Sequence, residues 1–192
     1  MKLMLVTLAL TVGAGYLLGG RLSNLAGLRI RWAPLAVIGF AMQLINPPGR
    51  WPLAMLLGSF VLLSVFTIAN RRTPGFGLIL IGVALNFLVI AANAGMPVSA
   101  SALRASGQEE TVGDLTDRAD AYVKHHLAGP EDRVLVLGDV IGLPPPVGQA
   151  ISVGDIFTYG GVAVVIAAGM RRKPEEDVVT DRLVAEGDRA GG

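Results

Sequence analysis

Cysteine is absent from these 192 residues. Disulfides, thiol nucleophiles and thiolate metal sites are excluded with it. Acidic residues are missing from more than half the chain, since no Asp or Glu stands before Glu109. Charge of either sign is scarce: 16% of residues are charged and 52% are hydrophobic, whereas a soluble domain carries about 25% charged residues. So few ionic groups cannot cover a water-facing surface. No basic stripe with interleaved aromatics is present and the formal net charge is +1, which gives no footing for a nucleic-acid partner. No residue pattern recurs along the chain, so a repeat architecture is not expected.

What is there is a set of apolar runs. A helix needs about 20 such residues to cross a bilayer core about 30 Å thick. Five stretches approach that length: Leu3–Leu18, Trp32–Asn46, Pro52–Ala69, Gly75–Ala94 and Ile156–Met170. The fourth carries no charge and follows Thr73-Pro74, which suggests a Thr73 N-cap with proline at the first helical position. The second is short and is stopped by Pro47-Pro48. The expected fold is all-α, an integral membrane bundle of about five transmembrane helices.

Arginine and lysine near span ends mark the cytoplasmic side. Arg21, Arg29 and Arg31 follow the first run, Arg71 and Arg72 the third, and Arg171, Arg172 and Lys173 the fifth. These clusters share one side when the N-terminus is outside and the C-terminus is cytoplasmic. Trp32 and Trp51 then fall at interfaces, as an aromatic belt requires. Lys2 ahead of an apolar run also has the look of a signal peptide. That reading would put Arg21, Arg29 and Arg31 outside, against the charge rule, so an uncleaved anchor is expected. The organisation that follows is a four-helix region over residues 1–94, an extracytoplasmic insert or cap over 95–154, a last transmembrane helix over 155–170 and a disordered cytoplasmic tail over 171–192.

The insert holds eight carboxylates, four bases and both histidines. Val112, Leu115, Ala119, Tyr122, Val123 and His126 recur at helical spacing, with Leu127 at the edge. This predicts an amphipathic helix of about four turns, packed against the bundle. His125 and His126 are adjacent and point apart on such a helix, so they cannot form an i, i+4 metal pair, and neither a metal site nor a cofactor is expected. His126 lies in the apolar stripe as a packed, hydrogen-bonded residue; His125 faces the polar side and is the better functional candidate. Further on, an apolar run delivers Asp139 to a position beside Gly138, and Pro144–Pro146 forces a stiff, extended turn. Ser152-Val-Gly-Asp155 then opens the last apolar run in the manner of a capping box.

Inside the runs the notable polar residues are Gln43, Asn86 and Asn93. Asn86 and Asn93 share a face of the fourth helix, with Gly82 just before. They suit interhelical hydrogen bonding at a close contact, or a polar face lining a cavity that opens toward the insert.

Asn70-Arg71-Arg72, Pro74-Gly75, Asn93-Ala94-Gly95-Met96-Pro97-Val98-Ser99, Lys124-His125, Leu137-Gly138-Asp139-Val140-Ile141 and Ser152-Val153-Gly154-Asp155 occur in that order. Together they resemble an uncharacterised family of small bacterial multi-pass membrane proteins, domain of unknown function 5317, over roughly residues 1–170. The family pattern often has a second glycine where Ala94 stands. The resemblance implies a bacterial inner-membrane location and no established activity. It also implies that Asn93, His125, Asp139 and Asp155 belong together. A second resemblance covers only the stretch before the tail. Lipoprotein signal peptidases carry one catalytic acid in a Val-x-Asp-Phe segment and another in a Phe-Asn-x-Ala-Asp segment that opens the last span. Here Asp139 sits in Leu-Gly-Asp-Val and Asp155 in Ser-Val-Gly-Asp, sixteen residues apart. The Asn-Leu-x-Asp-Arg motif and the Phe-Asn pair of those enzymes are absent.

Three functions are open to such a chain. The first is a non-enzymatic membrane module whose insert binds a partner or ligand. The second is a membrane-embedded aspartyl hydrolase using Asp139 and Asp155 as catalytic acid and base. The third is a small solute or lipid carrier built on Gln43, Asn86 and Asn93. The expected surroundings are the lipid bilayer, with a membrane-protein partner or a second copy of the chain.

Overall fold

A computed structural model describes residues 2–45, 47, 51–117 and 124–172 of the chain. Seven α-helices are present among them: α1 (Lys2–Leu17), α2 (Ala33–Leu44), α3 (Trp51–Ala69), α4 (Phe76–Asn93), α5 (Ala100–Ala105), α6 (Glu109–Asp117) and α7 (Val153–Met170). Two small sheets join them. β1 (Met96–Val98) pairs in parallel with β2 (His125–Leu127), and β3 (Ile141–Leu143) pairs antiparallel with β4 (Gln149–Ile151). The helical class holds, with these sheets as an addition that the sequence reading lacked.

Three helices are long and apolar enough to cross a membrane: α3, α4 and α7. The other two apolar helices are shorter, α1 with 16 residues and α2 with 12. At 1.5 Å per residue α2 is about 18 Å long. All five expected runs are therefore helical, with shifted ends. The second begins after Trp32, which takes the left-handed conformation (φ 57°) as the N-cap of α2; its expected end at Asn46 lies outside the described residues. The last begins three residues before Ile156, because Ser152 starts it. The expected Thr73 cap is corrected. Gly75 at φ 94° precedes α4, and no side chain caps it. Thr73 instead belongs to a turn in which its N–H donates to the Asn70 carbonyl, 2.8 Å away.

α4 and α7 pack antiparallel through small residues. A Cβ on Gly82 would meet Thr158 and the Gly154 carbonyl, one on Gly154 would meet Asn86, and one on Gly161 would meet Ile79. Glycine is what lets these backbones approach. α2 and α3 form a hairpin tied by Gln43 Nε2, which donates to Ser59 Oγ at 3.0 Å. α1 closes against α7 at Gly15, where a Cβ would meet Met170, and the segment after it is tied to the same helix end: Asn24 Nδ2 donates to the Met170 carbonyl at 2.7 Å and the Arg21 N–H to the same oxygen at 2.8 Å. The core lies between α3, α4 and the cap, with Leu56, Phe60, Leu63, Val83, Val89, Ile90 and Met96 buried.

One end of the bundle gathers Arg21, Arg29, Arg31, Arg71, Arg72, Arg171 and Arg172, and no acid stands there among the described residues. The cap sits at the opposite end. Its expected long amphipathic helix is corrected. α6 stops at Asp117, residues 118–123 lie outside the described residues, and His125–Leu127 form a strand. The partner that draws them into a strand is β1, 29 positions earlier, with Met96 opposite His125 and Val98 opposite Leu127. The Pro144–Pro146 segment becomes the turn of the β3–β4 hairpin.

Candidate functional site beneath the cap

The site begins where α4 ends. Ala94 takes the left-handed conformation (φ 54°), its N–H bonds to the Ile90 carbonyl, and the chain turns into β1. This is the usual helix stop in which glycine is favoured. β1 then receives chain on both edges. β2 lies on one. On the other, Asp139 bridges Val98: its N–H donates to the Pro97 carbonyl at 3.0 Å and its carbonyl accepts from the Ser99 N–H at 3.0 Å. Gly138 permits this approach, since a Cβ there would stand 2.6 Å from the Pro97 carbonyl oxygen. A three-residue strand thus holds His125 and Asp139 over the start of α7.

That start is closed by side chains. Ser152 Oγ accepts from the Asp155 N–H at 3.0 Å, and Asp155 Oδ2 accepts from the Ser152 N–H at 3.1 Å. The capping box expected from Ser-x-x-Asp is present. Asn86 of α4 completes a ring with it. Its Nδ2 donates to Asp155 Oδ1 at 3.0 Å, and its Oδ1 accepts from Ser152 Oγ at 2.9 Å. Ser152 is fully buried and Asn86 nearly so. Asn86 thus makes two interhelical hydrogen bonds, and α7 cannot leave α4 without breaking both.

Asp139 is different. Its carboxyl is largely enclosed and has no hydrogen-bond partner among the described residues. Burial, with the Asp155 charge nearby, pushes its pKa up to about 8. At neutral pH it is a protonated acid beside an acid that accepts two hydrogen bonds. His125 is open to solvent on one side yet crowded by protein on the others. That crowding lowers its pKa, Lys124 and His126 lower it further, and Asp155 opposes them. The imidazole therefore stays neutral near pH 7. Tyr159 of α7 completes the group; it hydrogen-bonds Gln149 and lies within electrostatic reach of both acids. A protonated carboxyl, an imidazole and a second carboxyl fixed by hydrogen bonds can together hold a polar or cationic group, or pass a proton.

Other polar residues of the cap serve its architecture. His126 Nε2 lies 2.8 Å from Asp132 Oδ1, as expected for a packed, hydrogen-bonded histidine. Burial pushes Asp132 up, but the Gly129 N–H and His126 outweigh it and hold the carboxyl below its ordinary value. Lys124 Nζ donates to the carbonyls of Gln43, at 2.6 Å, and Ile45, at 3.0 Å, capping the end of α2. Asn93 does not enter the acid group. It clamps the cap, accepting from the Arg133 N–H at 2.7 Å and donating to the Arg133 carbonyl at 2.9 Å and the Val89 carbonyl at 2.9 Å. Of the four residues the family resemblance linked, His125, Asp139 and Asp155 come together and Asn93 works one step away. The polar residues that a carrier's path would need, Gln43, Asn86 and Asn93, are each engaged in a separate tie.

Two contributors escaped the sequence reading. Tyr159 and Gln149 have no motif around them. Asn70 repeats the Asn93 pattern at the arginine end, where its Oδ1 accepts from the Arg31 N–H and its Nδ2 donates to the carbonyls of Arg31 and Phe66, all at 2.8 Å. Its signal was an asparagine closing an apolar helix, as Asn93 does.

Among known proteins, the model of a family of unknown function, DUF5317, matches residues 26–167. An uncharacterized protein of Thermotoga maritima is 32% identical over 151 residues, which cover 77% of this chain and 81% of that protein. No solved structure matches.

Proposed function

This chain belongs to the family of unknown function DUF5317, and we propose that it is a five-span membrane module, not an enzyme, whose cap binds a partner or ligand at Asp139, Asp155 and His125. In this reading α1 and the short α2 cross together with the three long helices. The N-terminus and cap face outward, and the arginine end faces the cytoplasm. The charge rule supports that orientation. The observation that carries the binding role is Asp139, a largely enclosed carboxyl that has no hydrogen-bond partner among the described residues, where every fully buried side-chain polar atom has one. Next to it Val134, Leu135 and Val136 present exposed apolar surface, suited to a docking partner.

Orientation is tested by single-cysteine labelling in intact cells with an impermeant maleimide, at Glu109 and Arg71, both exposed. Labelling at position 109 alone is expected; labelling at 71 alone inverts the orientation. Binding is tested by photo-crosslinking from position 136. The expected result is a recurrent adduct that is lost in Asp139→Leu and kept in Glu109→Gln. Repeated recovery of the protein alone refutes the module reading.

The raised Asp139 beside Asp155 also favours a second reading, an aspartyl hydrolase in which Asp139 is the protonated acid. An enzyme loses activity in both Asp139→Asn and Asp155→Asn while still folding. A capping Asp155 instead loses about 0.5–2 kcal/mol of stability with function retained.

A further inference from the structure

The arginine end holds a second feature that the cap site does not use. Where the α3–α4 turn meets the end of α7, a hollow of about 330 Å³ opens between Arg72, Thr73, Val165, Ala168, Gly169 and Arg172. Both guanidinium-bearing residues are exposed, and neither pairs with an acid among the described residues. Gly169 at its floor lets Leu25 and Leu28 pack against α7. Deeper along the same helix lies a slot of about 200 Å³, walled by Leu63, Phe66, Phe76, Ile79, Val162 and Val165. Val165 lines both spaces, so a basic mouth and an apolar slot share one wall.

We propose that this is a binding site for one anionic phospholipid, its phosphate held between Arg72 and Arg172 and one acyl chain lying in the slot against Phe66 and Phe76. Two guanidiniums present forked donors that match phosphate oxygens. The Thr73 hydroxyl adds a third donor at the mouth. The seven arginines of this end attract anionic headgroups over neutral ones, at a depth where an attached chain meets the slot. A free phosphate ion would use the mouth and leave the slot empty. The proposal rests on the membrane reading above but not on the cap site, and the labelling experiment tests that reading separately.

The test is native mass spectrometry of the full chain in mild detergent, with phosphatidylglycerol or phosphatidylcholine added. The expected result is retention of phosphatidylglycerol about 10–30-fold tighter than phosphatidylcholine, from two arginines acting on one phosphate. Arg72→Ala/Arg172→Ala abolishes that preference and Arg21→Ala leaves it intact. Should the alanine pair not fold, Arg72→Gln/Arg172→Gln gives the same loss. Val165→Trp, which fills the shared wall, weakens retention of both lipids. Equal retention of the two lipids overturns the proposal, as does an unchanged preference in the arginine variants. Displacement by inorganic phosphate would assign the mouth to a free anion instead. Binding that emerges only after deletion of residues 174–192 would assign it to the chain's own acidic Glu175-Glu176-Asp177, and overturn the proposal as well.

Discussion

Asn70 and Asn93 perform the same operation at opposite ends of the bundle. Each closes a long apolar helix and bonds back to the carbonyl four residues earlier. Each holds both the N–H and the carbonyl of a distant arginine, Arg31 or Arg133. The residue after each arginine is left-handed, Trp32 at φ 57° and Val134 at φ 53°, and a helical turn starts at once. The difference is burial. Asn70 is 4% exposed, whereas the bonds between Asn93 and Arg133 lie at the surface. Unmade hydrogen bonds cost more where water cannot replace them. One geometry therefore yields a structural lock at the arginine end and a looser latch on the cap, which is the part expected to meet a partner.

The largest expected effect separates the two ends by pH. The ordinary value of an aspartate, 3.8, is raised to about 8 at Asp139. Between those values the folded chain binds more protons than the unfolded one, so stability falls as pH rises and levels off above about 8. His125, whose pKa is lowered, has the opposite sign and loses stability as pH falls below its ordinary 6.5. Unfolding measured from pH 7 upward isolates Asp139. Over the whole window from 3.8 to about 8 the loss reaches several kcal/mol at about 1.4 per pH unit; the part above pH 7 is about 1.4 kcal/mol in the wild type, and Asp139→Asn should be flat there. A slope that survives Asp139→Asn places the titrating group elsewhere.

Next in size is Asn70→Ala, expected to cost about 2–3 kcal/mol in mixed-micelle unfolding because three part-buried bonds of a buried side chain are lost. Asn93→Ala should cost about 1–2 kcal/mol and speed amide exchange over residues 133–143 while α2 stays protected. If Asn93→Ala proves the costlier, the contrast between lock and latch fails. The smallest effect is a gain: Ala94→Gly removes the side-chain penalty of the left-handed stop and should stabilise the chain by about 0.5–1 kcal/mol. No gain would mean that the Ala94 methyl group contributes packing that offsets its backbone cost.

Features that depend on neighbours in sequence were legible. The apolar runs gave the five apolar helices, and Ser152-x-x-Asp155 gave the capping box. Features that depend on distant chain were not. His125–Leu127 can be read at a helical period or as a short strand, and only β1 decides between them. The distant partners of Asn70 lie 39 residues upstream and those of Asn93 lie 40 downstream, so the sequence marks both asparagines as notable but does not say what either one holds. Asp139 stood out because glycine flanks it, but its enclosure comes from the β1 bridge and the start of α7, which no local pattern announces.

The ring joining Asn86 to Ser152 and Asp155 also sets a timetable. The amide of Asn86 is made 66 residues before Ser152 and 69 before Asp155. At ordinary rates of synthesis, that interval is on the order of 3–13 s. Throughout it, α4 carries an apolar face with one amide that has none of its final partners, while the cap is still emerging. Only the last helix supplies them, and the same helix supplies the Met170 carbonyl that receives Arg21 and Asn24 from the beginning of the chain. The bundle is therefore sealed from its final segment, and a nascent chain halted before residue 152 leaves α4 with its amide uncovered, a mark by which an interrupted product differs from a finished one.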